Sequence, residues 1–376
     1  MSSTVATVAK GLAGVVVDET NICQINKDDN LLYYYGYEIN DLTSHSTYEE
    51  VSYLLAHGDL PSSGQLDIYL TELAKGRVLT ASLKSVLEQI PADADPMDVL
   101  RTGCSVLGSL EPESDTNNQF VIGPKLSNYF CSMLFYWYHF HQSGKRIETD
   151  TGETSVAGHF LHLLNGKSPN ETFRRAIDVS LIIYAEHDFN ASTYAARIAA
   201  STLSDVYSCF TSAIGTLRGP WHGGANAAVM RTLEKFKSAD EAEAAVLDMF
   251  ANKKRVIGFG QRVYSTADPR NAINKQWAKE LADAAGDTIL FPVADRIEDV
   301  VWREKKIFAN LDYYTAVIYR MCGLSTHMFP AVFVIARTSG LLAHIAEQRA
   351  NNKLIHPLAK FMGPEPRAYV PIAERN

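Results

Sequence analysis

Helix-forming patterns follow one another along this chain with almost no strand signal between them, which narrows the folds open to it. "STYEEVSYLLAHG" (46–58) opens on a capping box, Ser46 with Glu49, and stops at His57-Gly58. Val51, Leu54 and Leu55 then share one face. "GQLDIYLTELAKG" repeats the form with Leu66, Tyr69, Leu70 and Leu73. Further helical periodicity covers 80–90, 96–109, 126–142, 153–165, 169–186, 191–217 and 225–237. It continues over 239–252, 270–285, 295–307, 312–321 and 329–350. Strand patterns are confined to "ICQI" and "LLYYYGYEI", which flank the polar turn "NKDDN" and predict a small hairpin. Strands and helices do not alternate, which argues against a Rossmann or barrel fold. The expectation is an all-α protein with a minor N-terminal β-hairpin. Its 376 residues suffice for about two domains.

Several function classes drop out early. A net charge of −8 with no long basic run argues against a nucleic-acid surface. Cys23, Cys104, Cys131, Cys209 and Cys322 are odd in number, scattered and without a C-x-x-C pair. They read as reduced thiols of a cytoplasmic protein rather than a disulfide framework. "MSSTVATVAKGLAGVVVDE" fits a secretory signal poorly. The longest apolar stretch, "FPAVFVIARTSGLLAHIA", carries Arg337 and His344, so a buried helix explains it better than a membrane span. The histidine pairs 139/141 and 159/162 lack a third ligand, and no metal site is expected.

Five stretches set polar groups among apolar or glycine-rich neighbours. "RGPWHGGANAAVM" isolates His222 between glycines 219, 223 and 224, either as a turn histidine near a helix start or as a group presented to a ligand. "AEHDFNAST" places His187 between two acids, and "RVIGFGQRVYSTADPR" is a glycine-bracketed loop ending in Asp-Pro-Arg. "NLDYYTA" sets Asp312 at a helix start, where an aspartate is ordinarily a cap. "VFVIARTSG" buries Arg337, where an arginine is often a structural ion-pair partner.

Singly these signals are weak, but their combination is specific. R-G-P-x-H-G-G-A-N, E-H-x-F-N-A-S-T, G-F-G-x-R-V-Y…D-P-R, N-x-D-Y-Y and R-T-S-G…H-x-x-E-Q-R, in sequence, closely resemble the citrate synthase family. The resemblance runs from "GLAGVVVDET" to "PEPRAYVPIAER". "PADADPMDVLRTGCSVLGSLEPE" and "STLSDVYSCFTSAIGTLRGPWHGGAN" look most like its 2-methylcitrate synthase branch. That implies condensation of propionyl-CoA or acetyl-CoA with oxaloacetate, with the coenzyme A thioester as substrate and no other cofactor. By resemblance Asp312 is the base and His222 the donor to the enolate oxygen. Arg270 and Arg337 match carboxylate-binding positions, and Tyr69 and His187 match the remaining substrate contacts. Arg255, Val256, Ile257, Gly258 and Phe259 match the stretch that receives coenzyme A. The implied fold is a large helical domain, 1–224 with 323–376, and a smaller one, 225–322, on the acyl-CoA side. A homodimer or larger homo-oligomer, with the site completed across the interface, is also implied.

The chain departs from the family pattern at four positions. Gln261 stands where the family usually has a histidine that polarises the ketone, and a glutamine donates a hydrogen bond but no proton near neutral pH. His356 replaces an arginine that the family contributes to the neighbouring subunit's site. Tyr35 replaces another arginine. Trp221 replaces a smaller aliphatic beside His222, either as packing or as a narrower acyl pocket. These departures raise two alternatives to the family reaction: a different oxo-acid partner, or a catalytically weak homologue kept for binding, regulation or assembly.

Overall fold

The computed structural model describes residues 8–261 and 263–375. A three-stranded antiparallel meander comes first: β1 (Cys23–Asn26), β2 (Leu31–Tyr34) and β3 (Tyr37–Glu38), with Cys23 opposite Tyr34 and Tyr34 opposite Tyr37. The expected hairpin is therefore present, extended by a short third strand.

Everything else of regular structure is helical. The first half holds α1 (Ile39–His45), α2 (Tyr48–His57), α3 (Ser63–Ala74), α4 (Ala81–Gln89), α5 (Pro96–Leu110) and α6 (Gln119–Ser143). The middle holds α7 (Val156–Asn165), α8 (Glu171–Tyr184), α9 (Ala191–Ser201), α10 (Val206–Leu217) and α11 (Ala225–Leu233). The rest holds α12 (Ala239–Ala251), α13 (Pro269–Ala285), α14 (Leu290–Lys305), α15 (Leu311–Met321) and α16 (Phe329–Ala350). Most begin at a side-chain cap: Asn118, Ser155, Asn170, Asn190, Asp205, Asp268 and Asn310 each accept from a first-turn N–H.

Local chemistry moves some boundaries. The capping box of α2 is Thr47 with Glu50, not Ser46 with Glu49, because the Ser46 N–H is already spent on Leu42 O at the end of α1. The continuous helix expected over 191–217 breaks at Leu203, whose φ is +61°, and restarts on the Asp205 cap. α14 starts ahead of residue 295 because the Asp287 carboxylate accepts from Leu290 N (3.1 Å) and Phe291 N (2.8 Å).

α16 organises the core. It is long and apolar enough to cross a membrane by composition alone, yet it is buried inside the chain and packs on α2, α6, α8, α9 and α10. Arg337 and His344 are buried within it. It packs against α8 and α9, and Phe333 in its first half lies 5.9 Å from the ring of His222 in the turn before α11, which fixes where the site forms.

Glu49, freed from capping α2, is buried and accepts from Val156 N at 2.7 Å at the start of α7. Burial, reinforced by the Asp178 carboxylate, pushes its pKa well above the usual carboxylate range. A raised carboxylate favours folding at low pH, and that contribution is lost as pH rises from the unfolded value through the folded one. Glu49→Gln is therefore expected to melt about 2 °C above the wild type at pH 8. The gap should narrow toward pH 5 in thermal melts, and a gap that is constant or reversed would contradict this assignment.

Candidate active site

Two turns deliver the first half of the site. Asn190 caps α9, its Oδ1 accepting from Thr193 N (3.2 Å) and from Ser192 Oγ (2.8 Å), and so presents Ser192 at the helix N-terminus. The turn before α11 is closed by His222 N to Gly219 O (2.9 Å) and Gly223 N to Leu217 O (3.0 Å). A Cβ on Gly223 would lie 2.4 Å from the Leu217 carbonyl oxygen, so this glycine answers to close packing within the chain. His222 Nε2 then lies 2.9 Å from Ser192 Oγ and accepts from Ser192 N at 3.3 Å.

That backbone contact fixes the tautomer of His222. A peptide N–H only donates, so Nε2 carries the lone pair and the neutral ring holds its proton on Nδ1. Burial, then the Arg337 guanidinium, lowers the pKa of the imidazolium to about 4. His222 is neutral across the physiological range, with Nδ1–H left for a ligand.

The second half is built on α15 and the glycine loop. Asn310 caps α15 by accepting from Asp312 N (3.1 Å). Its backbone N–H donates to Gly258 O (2.9 Å), and its side chain donates to Gly260 O (3.1 Å). Gly258 has φ +92°, and a Cβ there would meet Tyr313 and Val229 at 2.7 Å, so only glycine lets the loop lie this close. Asp312 follows in the first turn and accepts from the Tyr184 hydroxyl at 2.7 Å. Burial raises its pKa, with the Tyr184 hydrogen bond and the Arg270 charge working the other way.

Asp268 joins the loop to α13 and α15. Its Oδ1 accepts from Arg270 Nε (2.9 Å), and its Oδ2 accepts from Arg270 Nη2 (2.9 Å), Gln261 Nε2 (2.8 Å) and Leu311 N (3.1 Å). The contact orients the Gln261 amide, since only an NH₂ group faces a carboxylate favourably.

Two groups keep a buried nitrogen without a partner among the described residues, and a third, Arg270, is tied to Asp268. Arg337 donates Nε to Tyr184 O (2.6 Å) and lies over the Phe333 ring at 4.8 Å, while its buried Nη1 has no partner among the described residues. Burial lowers its pKa from the usual arginine value. Arg270 is buried as well, but the Asp268 carboxylate outweighs the burial and raises it. His187 Nε2 is buried without a partner among the described residues, and burial followed by the two guanidinium charges keeps the ring neutral. Buried polar groups left unpaired in this way fit a ligand that completes them.

His187, His222, Gln261, Arg270, Asp312 and Arg337 line one cavity of about 220 Å³. The other expected contacts lie elsewhere. Tyr69 does not line this cavity: its hydroxyl pairs with Ser52 Oγ at 2.8 Å, and its ring is edge-on to Tyr53. His356 is exposed on the extended C-terminal segment. Arg255 and Ile257 are exposed, Val256 and Phe259 half-buried and Gly258 buried, so Arg255–Phe259 borders the site through Gln261 without lining the cavity. Trp221 is 102% exposed and absent from the cavity wall, so it neither packs in the core nor narrows the pocket. Tyr184, Asn190, Asp268 and Asn310 also line the cavity and were not singled out from sequence. Asp268 had a legible signal in Asp-Pro-Arg, a cap followed by proline at the first helical position. Among the described residues, no group of three or more His, Cys, Asp or Glu side chains is placed to hold a metal ion.

Neutral imidazole, buried carboxylate and paired guanidinium groups around one small cavity suit carbon-acid chemistry beside a dianion. Comparison with known proteins agrees with this geometry. The family model for the citrate synthase C-terminal domain matches residues 11–358. The 2-methylcitrate synthase of Shewanella oneidensis is 46% identical over 365 residues, covering 97% of each chain. Citrate synthase 2 of Bacillus subtilis is 37% identical over 98% of this chain and 100% of its own. A Thermoplasma acidophilum citrate synthase, solved with carboxymethyl coenzyme A and oxaloacetate, superposes with a TM-score of 0.90 at 30% identity, over 98% of this chain and 100% of its own. The chain belongs to the citrate synthase family.

Proposed function

We propose that this protein condenses propionyl-CoA or acetyl-CoA with oxaloacetate and water to give 2-methylcitrate or citrate and free coenzyme A. The observation that carries this reading is the shared cavity: a buried carboxylate at 312 and a neutral, Nδ1-protonated imidazole at 222 face the same space as Arg270 and Arg337. Asp312 takes a proton from the carbon beside the thioester, and His222 Nδ1–H donates to the thioester oxygen as charge develops there. The enol carbon then attacks the ketone carbon of the oxo acid, whose carboxylates are held by the arginines. Water hydrolyses the resulting thioester and releases the thiol. These steps are proton transfers, carbon–carbon bond formation and hydrolysis, and the account assigns no metal or redox cofactor to them.

Gln261 shapes the second step. Its amide is committed to Asp268, and it has no proton to give to the new alkoxide. This favours slow condensation of oxaloacetate or, as the alternative reading, an oxo acid other than oxaloacetate. Thiol release measured with both acyl-CoAs against a panel of oxo acids separates the two. If oxaloacetate is the partner, Gln261→His is expected to raise kcat by up to about 10²-fold. An unchanged or lower rate with oxaloacetate, together with turnover of another oxo acid, selects the alternative.

Asp312→Asn is expected to lower turnover by roughly 10²–10⁴-fold while leaving oxo-acid binding in place. The checks are steady-state kinetics together with protection of the fold from heat by oxaloacetate. Retained turnover would remove Asp312 from the role of base.

We also infer a homodimer acting in the cytoplasm, with 225–322 as a smaller lobe that closes on the acyl-CoA. Supporting the dimer, the chain beyond Asn352 has no helix or strand apart from a 3-10 turn at Ile372–Glu374 and carries Leu358, Phe361, Met362, Tyr369 and Ile372 exposed, side chains that gain by burial on a second copy. Removing residues 353–376 should convert the dimer to a monomer and abolish turnover, read by light scattering and by thiol release. A truncated chain that stays dimeric would refute that role for the segment.

A further inference from the structure

Tyr184 is the last residue of α8, fully buried, with its ring edge-on to Phe333 at 4.7 Å between centroids. It makes two contacts of different kinds within the site. Its hydroxyl donates to Asp312 Oδ1 on α15 at 2.7 Å, and its carbonyl accepts from Arg337 Nε on α16 at 2.6 Å. One residue thus spans the carboxylate on one side and an anion-binding guanidinium on the other. Asp312 Oδ2 has no hydrogen-bond partner among the described residues, so the two carboxylate oxygens are inequivalent.

Resting on the reading of Asp312 as base, we propose that Tyr184 is a positioning residue: its hydroxyl pins Oδ1 and presents Oδ2 as the atom that takes the α-hydrogen. A carboxylate rotates freely about its last bond unless one oxygen is held, and a phenol in the cavity wall holds it without adding charge. The tyrosine does not exchange roles with its partner. Burial first, then the Asp312 charge, keeps its phenol far above the ordinary value, so it remains a donor at every working pH. The same hydrogen bond favours the ionised carboxylate against burial. Among the described residues, the other charged or titratable groups facing Asp312 are Arg270 on α13 and its cap Asp268, Arg337 from α16, Tyr319 from α15 itself, and neutral His187 and His222. All of these stay in place when only the phenol oxygen is removed.

The test is exchange of the α-hydrogen of propionyl-CoA with solvent deuterium, in the presence of a hydroxydicarboxylate that cannot be condensed. It is followed across pH for the wild type, Tyr184→Phe and Asp312→Asn. Tyr184→Phe is expected to exchange about tenfold more slowly on the plateau, because Oδ1 is no longer held, and its acid limb moves to higher pH. An acid limb that does not move overturns the proposal, whatever the absolute rate, because a merely structural loss lowers the whole profile. Exchange that survives in Asp312→Asn overturns the base reading itself, a separate outcome. A measurement independent of activity is the carboxyl ¹³C titration of Asp312, assigned by its loss in Asp312→Asn. Its midpoint rises in Tyr184→Phe if the proposal holds, and an unchanged midpoint refutes it. Should Tyr184→Phe fail to fold, the wild type alone must show a slowly exchanging tyrosyl hydroxyl proton that disappears in Asp312→Ala. Its absence from the wild type counts against the proposal.

Discussion

A single buried carboxylate, that of Asp268, ties together the parts on which the site depends. It caps α13, forks onto the guanidinium of Arg270, holds the amide of Gln261 and receives Leu311 N at the start of α15. The glycine loop, an anion-binding arginine and the helix that carries Asp312 are thereby referred to one pair of oxygens. Breaking a buried pair by removing one partner typically costs about 3–5 kcal/mol, whereas replacing both with apolar groups is often neutral. The pair is better understood as fixing geometry than as supplying net stability. It also keeps Arg270 charged inside the protein, where burial alone would oppose the charge.

Around that hub the electrostatics divide the cavity between two tasks. The imidazoles at 187 and 222 are held neutral by burial and by neighbouring arginines, and Asp312 is raised toward the range in which a carboxylate becomes a stronger base. The guanidinium groups remain as the positive charge available to a dianion. A ligand that fills the anion sites would also satisfy the orphaned Arg337 Nη1 and His187 Nε2, so binding and catalytic geometry are coupled by the same desolvated groups. Gln261 is the weak point of this arrangement, since its amide faces Asp268.

Much of this was legible in the residue order. The helical periodicity, the buried apolar α16 and the convergence of His187, His222, Arg270, Asp312 and Arg337 follow from patterning and from motifs that resemble a known family. The misses have physical causes. Ser46 and Thr47 are adjacent capping residues, and only the end of α1 decides between them. The break at Leu203 depends on a left-handed residue inside a helix-like pattern. Tyr69 is buried, as its amphipathic position in α3 reads, and stands apart from the cavity wall. Tyr184 sits in "SLIIYAEH", where one phenol in an aliphatic run reads as packing until the partner of its hydroxyl is seen.

The central claim is that His222 and Asp312 act on one thioester beside a bound oxo acid. Calorimetric titration with carboxymethyl coenzyme A, a stable carboxylate in place of the enolate, tests it most directly when run with and without oxaloacetate. The account predicts one site per chain, binding strengthened by oxaloacetate, and a loss of at least about tenfold in affinity for His222→Ala. Equal affinity in the wild type and the variant, with no dependence on oxaloacetate, would contradict it.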